Sequence, residues 1–191
     1  MPNPPAENSL RLKLTLHVLF LVSGTVTVLI GQVLPILARH YALNDLDLSF
    51  YFPAQFAGSL LGTYLFSLFA KQNQFVTASI AGAFLMGIGV LMMNLDSFSL
   101  SLAAFALNGL GIGLTLPAIN MTVLELNPRN AAAALSFLNF FWGVGAILCK
   151  PFVDYSSQGN DIRITTVTLA IPLLVSGAVL YFQPFRRIEQ K

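Results

Sequence analysis

Five side-chain amides stand inside long apolar stretches of this chain: Gln32, Gln55, Asn108, Asn120 and Asn139. An amide offers two donors and a carbonyl acceptor, and in hydrocarbon it needs partners from a neighbouring helix, water or a ligand. Trp142 lies one helical turn beyond Asn139, with a ring able to stack on a sugar-like or aromatic ligand. Around these residues the spacing is regular. Asn108, Gly111, Thr115, Ala118 and Thr122 recur at alternating threes and fours, and so do Ser136, Asn139, Gly143, Ala146 and Lys150. Residues so spaced share one helix face. Polar groups are costly in lipid unless they meet partners or line water, so both faces are expected to turn inward on a common polar cavity. The candidate solute-contacting residues are Gln32, Gln55, Thr115, Asn120, Ser136, Asn139 and Trp142. For any single amide the alternative is interhelical hydrogen bonding, with Trp142 as packing. The chemistry on offer is reversible binding of a polar solute.

Bond-breaking chemistry finds no constellation here. The chain holds no His-Glu-x-x-His run, no phosphate-cradling glycine loop and no Ser/His/Asp grouping at membrane depth. The glycines of NGLGIGL, from Asn108, lie inside an apolar stretch and read as packing glycines. Cys149 is the one cysteine, so neither an intrachain disulfide nor a cysteine zinc cluster can form. His17 and His40 flank the first apolar stretch and read as interfacial side chains. No carboxylate lies near the middle of a stretch, where a proton or sodium relay would place one; Glu125 is near one end. Neither an enzyme, a cofactor nor a metal site is expected.

The elements that must position these residues are membrane helices. The chain is 55% hydrophobic and 9% charged, with mean hydropathy +0.73. A soluble domain carries roughly 25% charged residues. A net charge of +2 is too small to point to a nucleic-acid partner. Six apolar stretches approach the ~20 residues that a ~30 Å hydrocarbon core requires. They run from about Leu14 to Ala38, Ser49 to Ala70, Phe75 to Met93, Phe98 to Leu126, Ala131 to Val153 and Ile164 to Phe182. The first is too long for the core of a cleaved signal peptide. The expected organisation is a polar cytoplasmic tail over 1–13, disordered at its Pro-rich start, a six-helix bundle over 14–183 and a basic tail over 184–191.

Loop charges set the orientation. Arg11, Lys13, Lys71, Arg129, Arg186, Arg187 and Lys191 fall on one side. Arg39, Lys150 and Arg163 fall on the other, with Asp45, Asp47, Asp96, Asp154 and Asp161. Basic residues favour the cytoplasm, so both termini are expected there, in a multi-pass protein of the cell (inner) membrane. An internal repeat is visible as well. Gly31-Gln32-Val33-Leu34-Pro35 matches Gly113-Leu114-Thr115-Leu116-Pro117, and Ala57-Gly58-Ser59-Leu60-Leu61 matches Val144-Gly145-Ala146-Ile147-Leu148. Three spans thus repeat as three, and an odd-numbered unit repeated in a membrane comes out inverted. Spans one, two, four and five carry the amides, while three and six read as outer support.

The run GLGIGLTLPAIN…NPRNAAAALSFLNFFWGVGAIL resembles spans four and five of the fucose–glucose–hexose permease branch of the major facilitator superfamily. The whole chain is similar to the N-terminal six-helix half of such a transporter. The resemblance implies an all-α polytopic membrane fold, six transmembrane helices as a 3+3 inverted repeat. It also implies a substrate path lined by spans one, two, four and five, with Gln32, Asn120, Asn139 and Trp142 nearest the substrate. Some features differ. The loop motif Gly-x-x-x-Asp-Arg-x-Gly-Arg-Arg here reads GTYLFSLFAKQNQ from Gly62, with Lys71 its one charge. The proton-coupling carboxylates of the fucose permease type would fall at Gly31 and Leu116.

Two functions follow as expectations. One is a half-size secondary transporter moving a small polar solute, such as a hexose, by alternating access with a second six-helix half or a second copy. The other is a non-transporting truncated remnant, or a membrane scaffold that associates with intact transporters. Membrane lipids are partners in either case.

Overall fold

The computed structural model describes residues 6–95, 97–157 and 161–183. Asp96, residues 1–5 of the expected N-terminal tail and the whole expected basic tail, with Arg186, Arg187 and Lys191, lie outside the described residues. Among the described residues seven helices follow one another: α1 (Ala6–His40), α2 (Asp45–Ser49), α3 (Tyr51–Ala70), α4 (Phe75–Met92), α5 (Phe98–Leu126), α6 (Ala131–Ser156) and α7 (Arg163–Phe182). α1 starts earlier than the expected Leu14, because a helix satisfies its own backbone and can run on beyond the hydrocarbon; Leu12 and Leu16 there are buried. α2 interrupts a stretch expected as a plain link. Asn44 and Asp47 build it by exchanging bonds: the Asn44 amide oxygen accepts from the Asp47 N–H at 2.9 Å, and the Asp47 carboxylate from the Asn44 N–H at 3.4 Å.

Leu10–His40, α4, α5, α6 and α7 are long and apolar enough to cross a membrane. α3, with 20 residues, is about 30 Å long and spans by length. Tyr51, Pro53, Gln55 and Tyr64 lower its apolar character. The six expected spans are therefore α1, α3, α4, α5, α6 and α7.

Contacts between helices fix their directions. Thr25 of α1 reaches Gly145 of α6, while His17 lies against Phe137 and Phe141, and Gln32 lines one cavity with Lys150. α1 and α6 therefore run side by side in one direction. Tyr51 of α3 meets Ser101 and Phe105 of α5, and Gly62 meets Leu110, so α3 and α5 are also parallel to each other. Gly82 and Gly89 of α4 face Thr115 and Asn108 of α5, which makes that pair antiparallel. In α4 and α7, Asn94 bonds Thr166 while Gly87 meets Leu174, again antiparallel. The Lys13 ammonium donates to the Asn127 amide oxygen at 3.2 Å, which sets α1 against α5. All six spans alternate in direction, and Ala6 and Gln183 come to the same end of the bundle. We call it the terminal end; the α1–α3, α4–α5 and α6–α7 links form the opposite end.

The packing follows the repeat. Exchanging α1 with α5, α3 with α6 and α4 with α7 turns the α1–α6 contact into the α5–α3 contact. The same exchange turns α4–α5 into α7–α1 and α3–α4 into α6–α7, and leaves α4–α7 as itself. Glycine makes the closest of these contacts. In the α3–α5 pair, a Cβ on Gly58 or Gly62 would collide with the Ala106 or Leu110 carbonyl, and one on Gly109 or Gly113 with the Gln55 or Ser59 carbonyl. In the α1–α6 pair, Gly24 lies on the Trp142 carbonyl and Gly145 on the Leu21 carbonyl. Backbones this close are available to glycine alone among residues.

Gly113→Ala must force α3 and α5 apart, and a loss of about 1–3 kcal/mol is expected. At Gly143, where a Cβ would meet nothing within 4 Å, alanine should leave stability unchanged or slightly raised. Thermal unfolding in detergent, followed by helical circular dichroism, checks the contrast.

Candidate functional site

The two faces picked out by spacing have different surroundings. Asn108, Gly111, Thr115, Ala118 and Thr122 of α5 are all buried. They pack on α4: Gly82 leaves room for the Thr115 hydroxyl, Gly89 for the Asn108 backbone, and Gly111 sits against Met86. This corrects the expectation that the α5 face lines the cavity. α5 is wedged between α3 and α4, and small residues spaced by threes and fours serve close helix packing as well as a wet wall. Asn108 and Thr115 are fully buried there, and their side-chain polar atoms have no hydrogen-bond partner among the described residues.

The α6 face is open. Ser136, Asn139 and Lys150 are exposed, and Gly143 and Ala146 are half-buried. Large apolar side chains beside them are exposed too, Phe140 at 63% and Ile147 at 76%. Asn139 turns its amide onto its own helix, donating to the Leu135 carbonyl at 2.8 Å. Trp142 is half-buried; its indole N–H and the Asn120 amide oxygen are enclosed without a partner among the described residues. On α3, Gln55 is half-buried and donates to the Thr27 carbonyl of α1 at 3.4 Å. On α1, Gln32 and the exposed Gly31 line a cavity of about 380 Å³ with Pro35, Arg39, Lys150 and Asp154.

Helix rise puts these residues at different depths. The level mark is the Thr25 hydroxyl, which donates to the Gly145 carbonyl at 2.9 Å. At about 1.5 Å per residue, Asn139 lies about 9 Å from that level toward the terminal end, and Trp142 about 4.5 Å. Counted from the Lys13–Asn127 contact, Asn120 comes to nearly the depth of Asn139. Gln32 lies about 10 Å on the other side of the mark. Asn120, Asn139 and Trp142 thus form one layer on the adjacent helices α5 and α6, with Ser136 about a turn below. Gln55 lies near the mark. Gln32 stands about 20 Å from Asn139 along the axis, too far for one hexose to touch both.

Of the residues around Gln32, sequence reasoning put Lys150 on the inward face of α6 and left out Arg39 and Asp154. The Lys150 ammonium pairs with the Asp154 carboxylate at 2.9 Å, both side chains well exposed at 67% and 61%. Their i,i+4 spacing was the available signal. Arg39 lies two turns from Gln32 on the same face of α1.

The chain belongs to the Major Facilitator Superfamily, whose family model matches residues 4–190. A solved structure described as a D-xylose-proton symporter has the same fold at a TM-score of 0.75 and 18% sequence identity. The likeness covers 94% of this chain and 50% of that one, so the chain spans about half the length of that structure. A comparison with curated proteins finds no match. The molecule is accordingly a multi-pass membrane protein with half of a major facilitator fold.

The Lys150–Asp154 pair is exposed and screened, so removing its charge should cost little. Asp154→Asn is expected to change unfolding stability by less than about 1 kcal/mol, measured in the same detergent melts.

Proposed function

We propose that this chain works as one half of a secondary transporter for a small polar solute such as a sugar. A second six-helix half, or a second copy, completes the path, and the two halves rock around a site between them. One observation carries the proposal: the helix with the open polar face, α6, is also the least covered of the five apolar spans. Ser136, Asn139 and Lys150 on that face could not rest against lipid without a large cost. A water-filled path between two halves accommodates them. Asn120, Asn139 and Trp142 then supply amide hydrogen bonds and a stacking ring at one depth, as a neutral polyol requires. Gln55 and Gln32 continue the polar route toward the opposite end, while Thr115 takes part through the α4–α5 packing that holds α5 in place.

Orientation follows from charge. The terminal end carries Arg11, Lys13, Lys71 and Arg129, and the opposite end carries Arg39, Lys150 and Arg163 together with Asp45, Asp47, Asp154 and Asp161. We read the end with more basic residues, which holds both termini, as the cytoplasmic one.

The test is reconstitution in liposomes, with the chain alone and with a candidate second half. Saturable uptake of labelled monosaccharide is expected in at least one arm. Asn139→Leu should lower it at least tenfold, while the helical fold and any association between halves persist. Absence of saturable uptake in both arms contradicts the proposal, and uptake unaffected by Asn139→Leu removes the Asn139 layer from the path.

A further inference from the structure

α1 and α7 come together at the terminal end of the bundle and leave a gap of about 650 Å³ between them. Thr15 of α1 and Ala178 of α7 are half-buried in it, while Leu14, Val175, Val179 and Phe182 stand exposed along it. Its polar groups gather at the terminal end. Arg11 is exposed there and is the one charged residue among the described residues that line the gap. The Gln183 amide oxygen is enclosed there with no hydrogen-bond partner among the described residues. From Gln183 to Val175 is about 12 Å along α7. The exposed Ile171, on the same face, carries the apolar strip to about 18 Å, and the exposed Val18 continues it on α1. Half of a ~30 Å hydrocarbon core is ~15 Å. The strip therefore has the depth of one leaflet, with its polar groups at the leaflet's edge.

We propose that this gap binds an anionic phospholipid with a hydroxyl-bearing headgroup, such as phosphatidylglycerol, from the leaflet at the terminal end. One acyl chain lies along Leu14, Val175 and Val179. The phosphate comes to the Arg11 guanidinium, whose planar fork matches it. A headgroup hydroxyl donates to the Gln183 amide oxygen, the acceptor that the described residues leave unmet. A choline headgroup has no hydrogen to donate and sets a second cation beside Arg11, so it fits poorly. The flanking sequence has the matching sign: Lys13, Arg186, Arg187 and Lys191 outnumber Glu7 and Glu189. Basic residues clustered beside a span attract anionic lipid. A lipid so placed bridges the first and last spans of the chain.

The test uses the full chain in phosphatidylcholine vesicles. Ile171→Trp in a Trp142→Phe background puts the chain's one indole beside the gap without filling it. Its fluorescence is read as lipid with brominated acyl chains replaces the plain lipid. Brominated phosphatidylglycerol should reach half-quenching at a share at least fivefold lower than brominated phosphatidylcholine. Adding Arg11→Gln should bring the two within twofold, and adding Gln183→Leu should narrow the difference at least twofold. Ile88→Trp in the same background, at an exposed position on α4, should show no preference. Equal quenching by the two lipids at Ile171→Trp overturns the inference, as does a preference that survives Arg11→Gln. An equal preference at Ile88→Trp also overturns it, because anionic lipid would then gather on the whole surface and not in this gap.

Discussion

Backbone-on-backbone contact through glycine is the constraint on which the rest of this bundle depends. Gly58, Gly62, Gly109 and Gly113 seal α3 to α5, and Gly24 and Gly145 seal α1 to α6. Lipid tails are as apolar as leucine, so burying apolar surface does not drive these helices together; close approach and dispersion must. Once the two pairs are formed, α4 and α7 tie them together, and the polar face of α6 and the cavity beside α1 are left uncovered. The same glycines that hold the structure therefore decide where it is open.

The inverted repeat gives the bundle two copies of one design. Both copies have a proline one turn after a glycine, Gly31–Pro35 and Gly113–Pro117, inside helices that continue unbroken. A helix can absorb such a proline if something else satisfies the freed carbonyl. In α5 the exposed Thr63 hydroxyl comes to 3.5 Å from that carbonyl, while it lies 2.9 Å from the Ser59 carbonyl of its own helix. In α1, Gly31 borders the cavity lined by Gln32, Arg39, Lys150 and Asp154.

Much of this was legible in the sequence. Length and apolarity located the spans, and the paired stretches Gly31–Pro35 with Gly113–Pro117 and Ala57–Leu61 with Val144–Leu148 pointed to three spans repeated as three. The seam on α6 from Ser136 to Lys150 does face open space. The seam on α5 from Asn108 to Thr122 does not, because a period of threes and fours marks a helix face and says nothing of what lies opposite it. Only the neighbours Gly82 and Gly89 on α4 reveal that this face is packed. The common depth of Asn120, Asn139 and Trp142, and the distance of Gln32 from them, likewise depend on how helices are set against one another, which no single stretch encodes. The early start of α1 and the short α2 were missed for a simpler reason: hydropathy marks where a helix meets lipid and cannot mark where it runs on in water.

The account rests on α6 presenting a wet face and α5 a dry one. Cysteine placed singly at Ser136, Asn139 and Gly143, or at Asn108, Gly111 and Thr115, in a Cys149→Ser background measures this directly. Thiol reagents attack the thiolate, which forms only where water reaches. A polar maleimide applied to the reconstituted protein should label the first three positions and spare the second three. Labelling at Asn108, Gly111 and Thr115, with Ser136, Asn139 and Gly143 protected, would contradict it.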